Sequence, residues 1–203
     1  MMNSLTEQFG NMDIYLIDQL MKGRFDNCEK ILDIGCGSGR NMFYFLQNDF
    51  DVYAIDQDPR AIQAIQNLAT SINADYPQEN FQQSQADQLP FPDESFDWVI
   101  ANAVFHFADN TAHFEAMLYS AFSVLNKGGY LLVRTASNIG LETQIQKDDC
   151  QVLLPDGSHR FIISHDDFMR YTDDLKARFF EPLKTTNVNN LRCMTTWCIQ
   201  KPN

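Results

Sequence analysis

Gly35, Gly37 and Gly39 stand at alternate positions directly after the apolar run ILDI, and two carboxylates flank them: Asp33 inside that run and Asp56 at the end of the next one, VYAID. Residues of these types in this order suit a place where backbone meets a ligand closely, because glycine has no Cβ to obstruct the approach and takes positive φ at little cost. A carboxylate is acceptor-only and takes two hydroxyl donors at once. Asp56 falls at about the distance downstream at which nucleotide-binding βαβ units place a ribose-binding acid. The dinucleotide pattern G-x-G-x-x-G is not completed, since Arg40 occupies its third glycine position, and this disfavours nicotinamide and flavin dinucleotides. No Gly-Lys-Ser/Thr follows the turn, so the triphosphate-cradling loop is absent as well.

The elements that position this turn alternate between strand and helix. Ile14, Leu16, Ile17, Leu20 and Met21 have helical spacing ahead of the first strand. After the turn, Met42, Phe43, Phe45 and Leu46 form a helix, and 51–56 returns as a strand. Asp58 and Pro59 supply the cap and first position of the next helix, whose buried stripe is Ile62, Ile65, Leu68, Ala69 and Ile72. Strands are expected at 81–85, in SFDWVIANAV and in YLLVRT. A helix between the last two carries Phe114, Met117, Leu118, Ala121, Phe122 and Leu125 inward and ends on Asn126-Lys127-Gly128-Gly129. In the tail, 164–175 reads as a capped helix. Two late strands, 180–188 and 193–200, have too few residues between them for a helical crossover and should pair antiparallel.

The fold class is therefore α/β: a Rossmann-like seven-stranded sheet of five parallel strands plus a C-terminal antiparallel hairpin, with helices on both faces. Ligands of such sheets bind at the carboxyl ends of the strands, where the glycine turn lies. The 203 residues suit one domain: a helical cap over 1–29, a core over 30–135, and an insertion with the closing hairpin over 136–203.

Fifteen basic against twenty-seven acidic residues give a net charge of −12, which works against nucleic-acid backbones and anionic membranes. Five cysteines form no C-x-x-C pair and are odd in number, so neither a disulfide framework nor a metal site is expected. The first twenty residues carry Glu7, Asp13 and Asp18 and no basic start, and no run approaches the length needed to span a bilayer, so a cytoplasmic protein is expected.

Four segments, ILDIGCGSGRN, VYAIDQDPRAI, ADQLPFPDESFDWVIANAVFHF and VLNKGGYLLV, occur in the order found in class I S-adenosylmethionine-dependent methyltransferases, and the chain resembles the small-molecule group of that family. The resemblance is strong over 30–135 and loose elsewhere. It implies S-adenosylmethionine as cofactor, S-adenosylhomocysteine as product and a small-molecule methyl acceptor. It also implies that Asp33, Gly35, Gly37 and Gly39 wrap the methionine end and ribose, that Asp56 accepts both ribose hydroxyls, and that Gln57 flanks the adenine. Ala86 and Asp87 match the adenine-reading position, and Asn102 and Ala103 match positions lining the methionine moiety. Cys36 fills a slot inside the loop as a small packing residue.

A sulfonium methyl needs an in-line acceptor, exclusion of water and a base only where the acceptor must lose a proton. His106, four residues beyond Asn102, is the candidate base. Tyr15 and Arg24 are candidates to close over the methionine carboxylate, whereas His159 and His165 read as structural or exposed. Asn102-Ala103-Val104-Phe105 departs from the Asn/Asp-Pro-Pro-Tyr/Phe pattern that related enzymes use on planar nitrogens, and no Pro-Cys pair offers a thiolate for cytosine carbon. The alternative reading is an S-adenosylmethionine-binding sensor or partner subunit without catalysis.

Overall fold

The computed structural model describes residues 4–203, so positions 1–3 of the expected N-terminal cap lie outside the described residues. Two helices come first, α1 (Leu5–Phe9) and α2 (Ile14–Met21), the latter capped by Asp13, whose side chain accepts from the Tyr15 N–H. The core follows as β1 (Lys30–Ile34), α3 (Phe43–Gln47), β2 (Asp51–Asp56), α4 (Pro59–Ile72), β3 (Phe81–Gln83), β4 (Phe96–Asn102), α5 (Thr111–Ser123) and β5 (Leu125–Ser137). The last third holds β6 (Val152–Leu153), β7 (His159–Arg160), α6 (His165–Asp174), β8 (Arg178–Phe179), β9 (Lys184–Val188) and β10 (Arg192–Gln200).

The main sheet runs β3-β2-β1-β4-β5-β10-β8, with β9 also paired to β10. β1 to β5 are parallel, and β10 enters antiparallel between β5 and the edge. Of the edge strand expected over 180–188 only β9 forms, and β8 lies just ahead of it; the two pair with opposite ends of β10. Pro182 stands in the break, where a residue with no N–H cannot continue the ladder. The expected helix through Leu125 ends at Ser123, and Asn126 to Gly129 form a bulge inside β5 in place of a helix cap. The register passes from Phe96↔Leu125 to Trp98↔Tyr130 across that bulge, and Asn126 Nδ2 donates to Asp97 Oδ1 at 2.8 Å.

Strand alternation divides the core between the two sheet faces. Leu32, Val99, Leu131 and Trp197 pack with α5 and α6 through Phe114, Leu118, Phe168 and Tyr171. Ile31, Trp98, Ile100, Leu132 and Cys198 pack with α2, α3 and α4 through Leu16, Phe45 and Ile65. Each of these side chains contributes about 1.5–3 kcal/mol by leaving water, which anchors the strand ends that carry the site. Among the described residues no helix is long and apolar enough to cross a membrane, and no group of His, Cys, Asp and Glu is arranged to hold a metal ion.

Candidate active site

The glycine turn leaves β1 with three positive φ values, and two of its glycines are sterically required. At Gly35 (φ 68°) a Cβ would come within 2.5 Å of Val104 Cγ2, and at Gly39 (φ 79°) within 2.9 Å of Ile65 Cγ1 on α4. Gly35 therefore lets the chain pass under the end of β4, and Gly39 lets α4 pack against the turn. The turn is tied to β2, because the N–H groups of Gly35 and Cys36 both donate to the Ile55 carbonyl, at 2.8 and 3.0 Å.

Asp56 ends β2 beside this turn. Its Oδ2 accepts from the Gly37 N–H and its Oδ1 from the Asp58 N–H, both at 2.9 Å. These bonds fix the carboxylate while leaving further lone pairs on both oxygens. Nothing lies within 4 Å of where a Cβ on Gly37 would be, so this part of the turn faces open space.

A cavity of about 500 Å³ opens along the carboxyl ends of β1, β2 and β4. Of the residues expected from sequence, Gly35, Asp56, Gln57, Ala86 and Ala103 line it. Ser84, Gln85, Phe107, Asp109, His113 and Met117 also line it and were not anticipated. Their signal in the sequence was limited to proximity: β3 stops at Gln83, two residues short of expectation, which frees Ser84 and Gln85 for the cavity. His113 is the imidazole on its wall. Its Nδ1 lies 3.3 Å from Asp109 Oδ2 and accepts from the Asp109 N–H at 3.2 Å, while Asn110 caps α5 through the His113 N–H.

Asp33, Cys36, Asn102 and His106 are buried behind the cavity surface. Asp33 is 1 % exposed, and its Oδ2 has no hydrogen-bond partner. Burial pushes its carboxyl up to about 8, against the pull of Arg40 and with a contribution from Asp56. Such a carboxylate suits a cationic or hydrogen-bonding partner that its own fold does not supply. Cys36 is buried, burial holds its thiol well above the ordinary range, and it serves as packing. Asp87 Oδ1 and Asn102 Oδ1 are likewise buried without partners. Ala103 adopts φ 63°, a left-handed conformation that costs a non-glycine residue about 1–2 kcal/mol, at the point where β4 ends and the cavity begins.

His106 is not brought to the cavity wall. It is 5 % exposed, its Nδ1 has no partner, and burial followed by the charges of Arg160, Arg134 and Arg192 holds its basicity down to about 3. An imidazole that weak is poorly matched to proton abstraction near neutral pH. Arg24 lies apart from the turn, stacked 4.1 Å from the Phe180 ring centroid beside Asp97 and Gly128, at the opposite strand ends. The segment between β5 and α6 packs on the post-β4 stretch. Gln151 Nε2 donates to the Phe107 and Ala108 carbonyls, and the Phe161 N–H to the His106 carbonyl.

Comparison with known proteins agrees with this geometry. A family model described as a methyltransferase domain matches residues 32–133. An uncharacterized methyltransferase of Synechocystis is 30% identical over 101 residues, which cover 50% of this chain and 44% of that protein, so the matched stretch spans less than half of its relative. Among solved structures, a SAM-dependent methyltransferase of Methanosarcina mazei has a TM-score of 0.68 at 20% identity, covering 90% of this chain and 97% of the other. The 1,6-didemethyltoxoflavin N1-methyltransferase of Burkholderia thailandensis, solved with 1,6-didemethyltoxoflavin and S-adenosylhomocysteine, has a TM-score of 0.69 at 13% identity, covering 96% and 80%. At these identities the structures speak for the fold, and the family model speaks for descent. The open face of Gly37, the fixed carboxylate of Asp56 and the unpartnered Asp33 fit S-adenosylmethionine, and the chain belongs to the S-adenosylmethionine-dependent methyltransferases.

Proposed function

We propose that this protein transfers the methyl group of S-adenosylmethionine to a small-molecule acceptor. The observation that carries the reading is the placement of Asp56, pinned by two backbone N–H groups at the edge of a cavity that continues past Ala86 to Phe107. Asp56 receives the ribose hydroxyls, Gln57 and Ala86 with Asp87 border the adenine, and Gly35, Gly37, Asp33, Asn102 and Ala103 surround the methionine end. The cofactor, when bound, supplies a methyl group already activated on sulfur. The chain's own part is to orient the acceptor and exclude water, which in well-aligned systems accounts for about 7–11 kcal/mol of barrier lowering. With His106 held down to about 3, no step is assigned to it as a base. The net charge of −12 supports a small acceptor over a nucleic acid.

The test begins with cofactor binding. S-adenosylhomocysteine should raise the melting temperature, and Asp56→Ala should remove most of that rise. Methyl transfer from labelled S-adenosylmethionine to a pooled small-molecule extract then tests catalysis. Absence of any shift with either adenosyl compound refutes the reading, and tight binding without turnover of any extract component favours a non-catalytic cofactor-binding role.

A further inference from the structure

A second cavity lies at the other end of the sheet, away from the glycine turn. It encloses about 290 Å³ between the loop after α2, the amino ends of β4 and β5, and Phe180, which follows β8. The bulge from Asn126 to Gly129 supplies Lys127 and two glycines to its rim. Its apolar wall is a row of rings. Trp98 stacks on Tyr130 at 4.8 Å between centroids, and Tyr130 lies 4.3 Å from Phe180. Arg24 ends the row, with its guanidinium carbon 4.1 Å from the centre of the Phe180 ring.

The charge on Arg24 has no counterpart. Its Nε is buried without a hydrogen-bond partner, and no carboxylate of the described residues comes within 4.0 Å of its guanidinium nitrogens. The acids around it are engaged elsewhere. Asp97 Oδ2 accepts from the N–H groups of Glu29 and Lys30 at 2.9 and 3.0 Å, and its Oδ1 accepts from Asn126 at 2.8 Å. Against burial, which pulls the other way, those donors hold its carboxyl below the ordinary range. Glu181, next to Phe180, is matched by Lys22 at 2.8 Å and Lys184 at 2.9 Å. Asp26 lies exposed beside Gly23. Stacking on Phe180 occupies one face of the Arg24 guanidinium and leaves its donor edge, which is the part that pairs two parallel N–H groups with a carboxylate. A guanidinium partly removed from water without such a partner is unfavourable on its own.

We infer that this cavity is a second binding site, for a small aromatic carboxylate. The acid group pairs with Arg24, Lys127 adds attraction at the rim, and the ligand ring lies against Tyr130 and Phe180. Two observations select this class. The volume sits at the lower limit of ligand clefts, which begin at about 300 Å³, and suits one ring with a short acid group better than a nucleotide. The wall beside the free charge is aromatic, and ring-on-ring contact is an attraction that an inorganic anion does not use. No residue lines both this cavity and the one beside Asp56, so the two sites are separate.

The chain's two tryptophans give the test an internal control. Trp98 lines the cavity, whereas Trp197 is buried on the opposite face of the sheet, with its indole N–H donating to Thr172 Oγ1 at 3.0 Å. Both indole N–H cross-peaks are followed by NMR in the full chain, and the Trp197 peak is identified by its displacement in Thr172→Val. Benzoate should shift the Trp98 peak saturably and leave the Trp197 peak in place, with benzamide inert. Acetate, which lacks the ring, should bind about tenfold more weakly than benzoate. Arg24→Met should weaken benzoate by about tenfold, the loss of one hydrogen bond to a charged group. If that variant does not fold, Lys127→Gln at its exposed position replaces it, with an expected loss of about twofold. No saturable shift, equal shifts of both peaks, equal affinity for benzoate and benzamide or for benzoate and acetate, or unchanged affinity in the variant overturns the inference. Saturation with S-adenosylhomocysteine should leave benzoate binding unchanged; competition between them puts benzoate in the cavity beside Asp56 and overturns it as well.

Discussion

Replacing Asp33 by asparagine should make the protein without cofactor more stable and the cofactor complex weaker. Asp33 sits at the end of β1, 1 % exposed, with Oδ2 unpartnered and its carboxyl pushed from 3.8 up to about 8 by burial. In the unfolded chain this carboxyl loses its proton near its ordinary value, whereas in the folded state it holds the proton to about 8. Between those pH values the folded state binds more protons than the unfolded one, so stability falls as pH rises; below that window and above it the contribution is flat. At about 1.4 kcal/mol per pKa unit, a rise of about four units sets a ceiling of about 6 kcal/mol at pH 8 and of about 4 kcal/mol at pH 7. Water entry and relaxation beside the carboxylate lower the realised value, and a difference of about 2 kcal/mol is expected. Urea denaturation of both proteins without cofactor, at pH 5 and at pH 8, isolates Asp33 because other titrations cancel between them. The advantage of Asp33→Asn should grow by about 2 kcal/mol or more across that interval. Parallel stabilities for the two proteins over the whole window would refute the reasoning. Binding of S-adenosylhomocysteine to the variant should be at least tenfold weaker, and unchanged binding would remove Asp33 from the cofactor site.

Three further outcomes follow from the same geometry. Gly39→Ala forces a Cβ to within 2.9 Å of Ile65 Cγ1 at φ 79°, and chemical denaturation should show a loss of about 2–4 kcal/mol from left-handed strain and overpacking together. Ala103→Gly relieves the φ of 63° at the end of β4 and should raise stability by about 1 kcal/mol in the same assay; no gain would mean that this turn is unstrained. His106→Gln should leave the pH dependence of methyl transfer unchanged, since its imidazole is neutral throughout the physiological range, and loss of an acidic limb from the pH–rate profile would restore it as a proton acceptor.

Local signals were enough to read much of the fold. The alternation of strand and helix, the caps at Asp58 and Ser164 and the glycine turn beside Asp56 depend on residues near one another in the chain, and each matches the structure. Proline and glycine chemistry at longer range was read less well. The turn at Asn126 to Gly129 is a bulge that lets β5 begin two residues after α5, and the break at Pro182 divides the edge strand.

The sequence alone determined the sheet, the end of it at which the glycine turn lies and the carboxylate beside that turn, because spacing, glycine conformation and alternation are properties of neighbouring residues. Tertiary structure decided which side chains share the site. His113 reaches the cavity only through the way α5 packs on the sheet, and His106 is excluded from the cavity wall though adjacent in sequence to Phe107, which lines it. Desolvation has the same origin. Asp33 and His106 are ordinary acid and base in a sequence, and only close packing of distant segments around them sets one carboxyl high and one imidazole low.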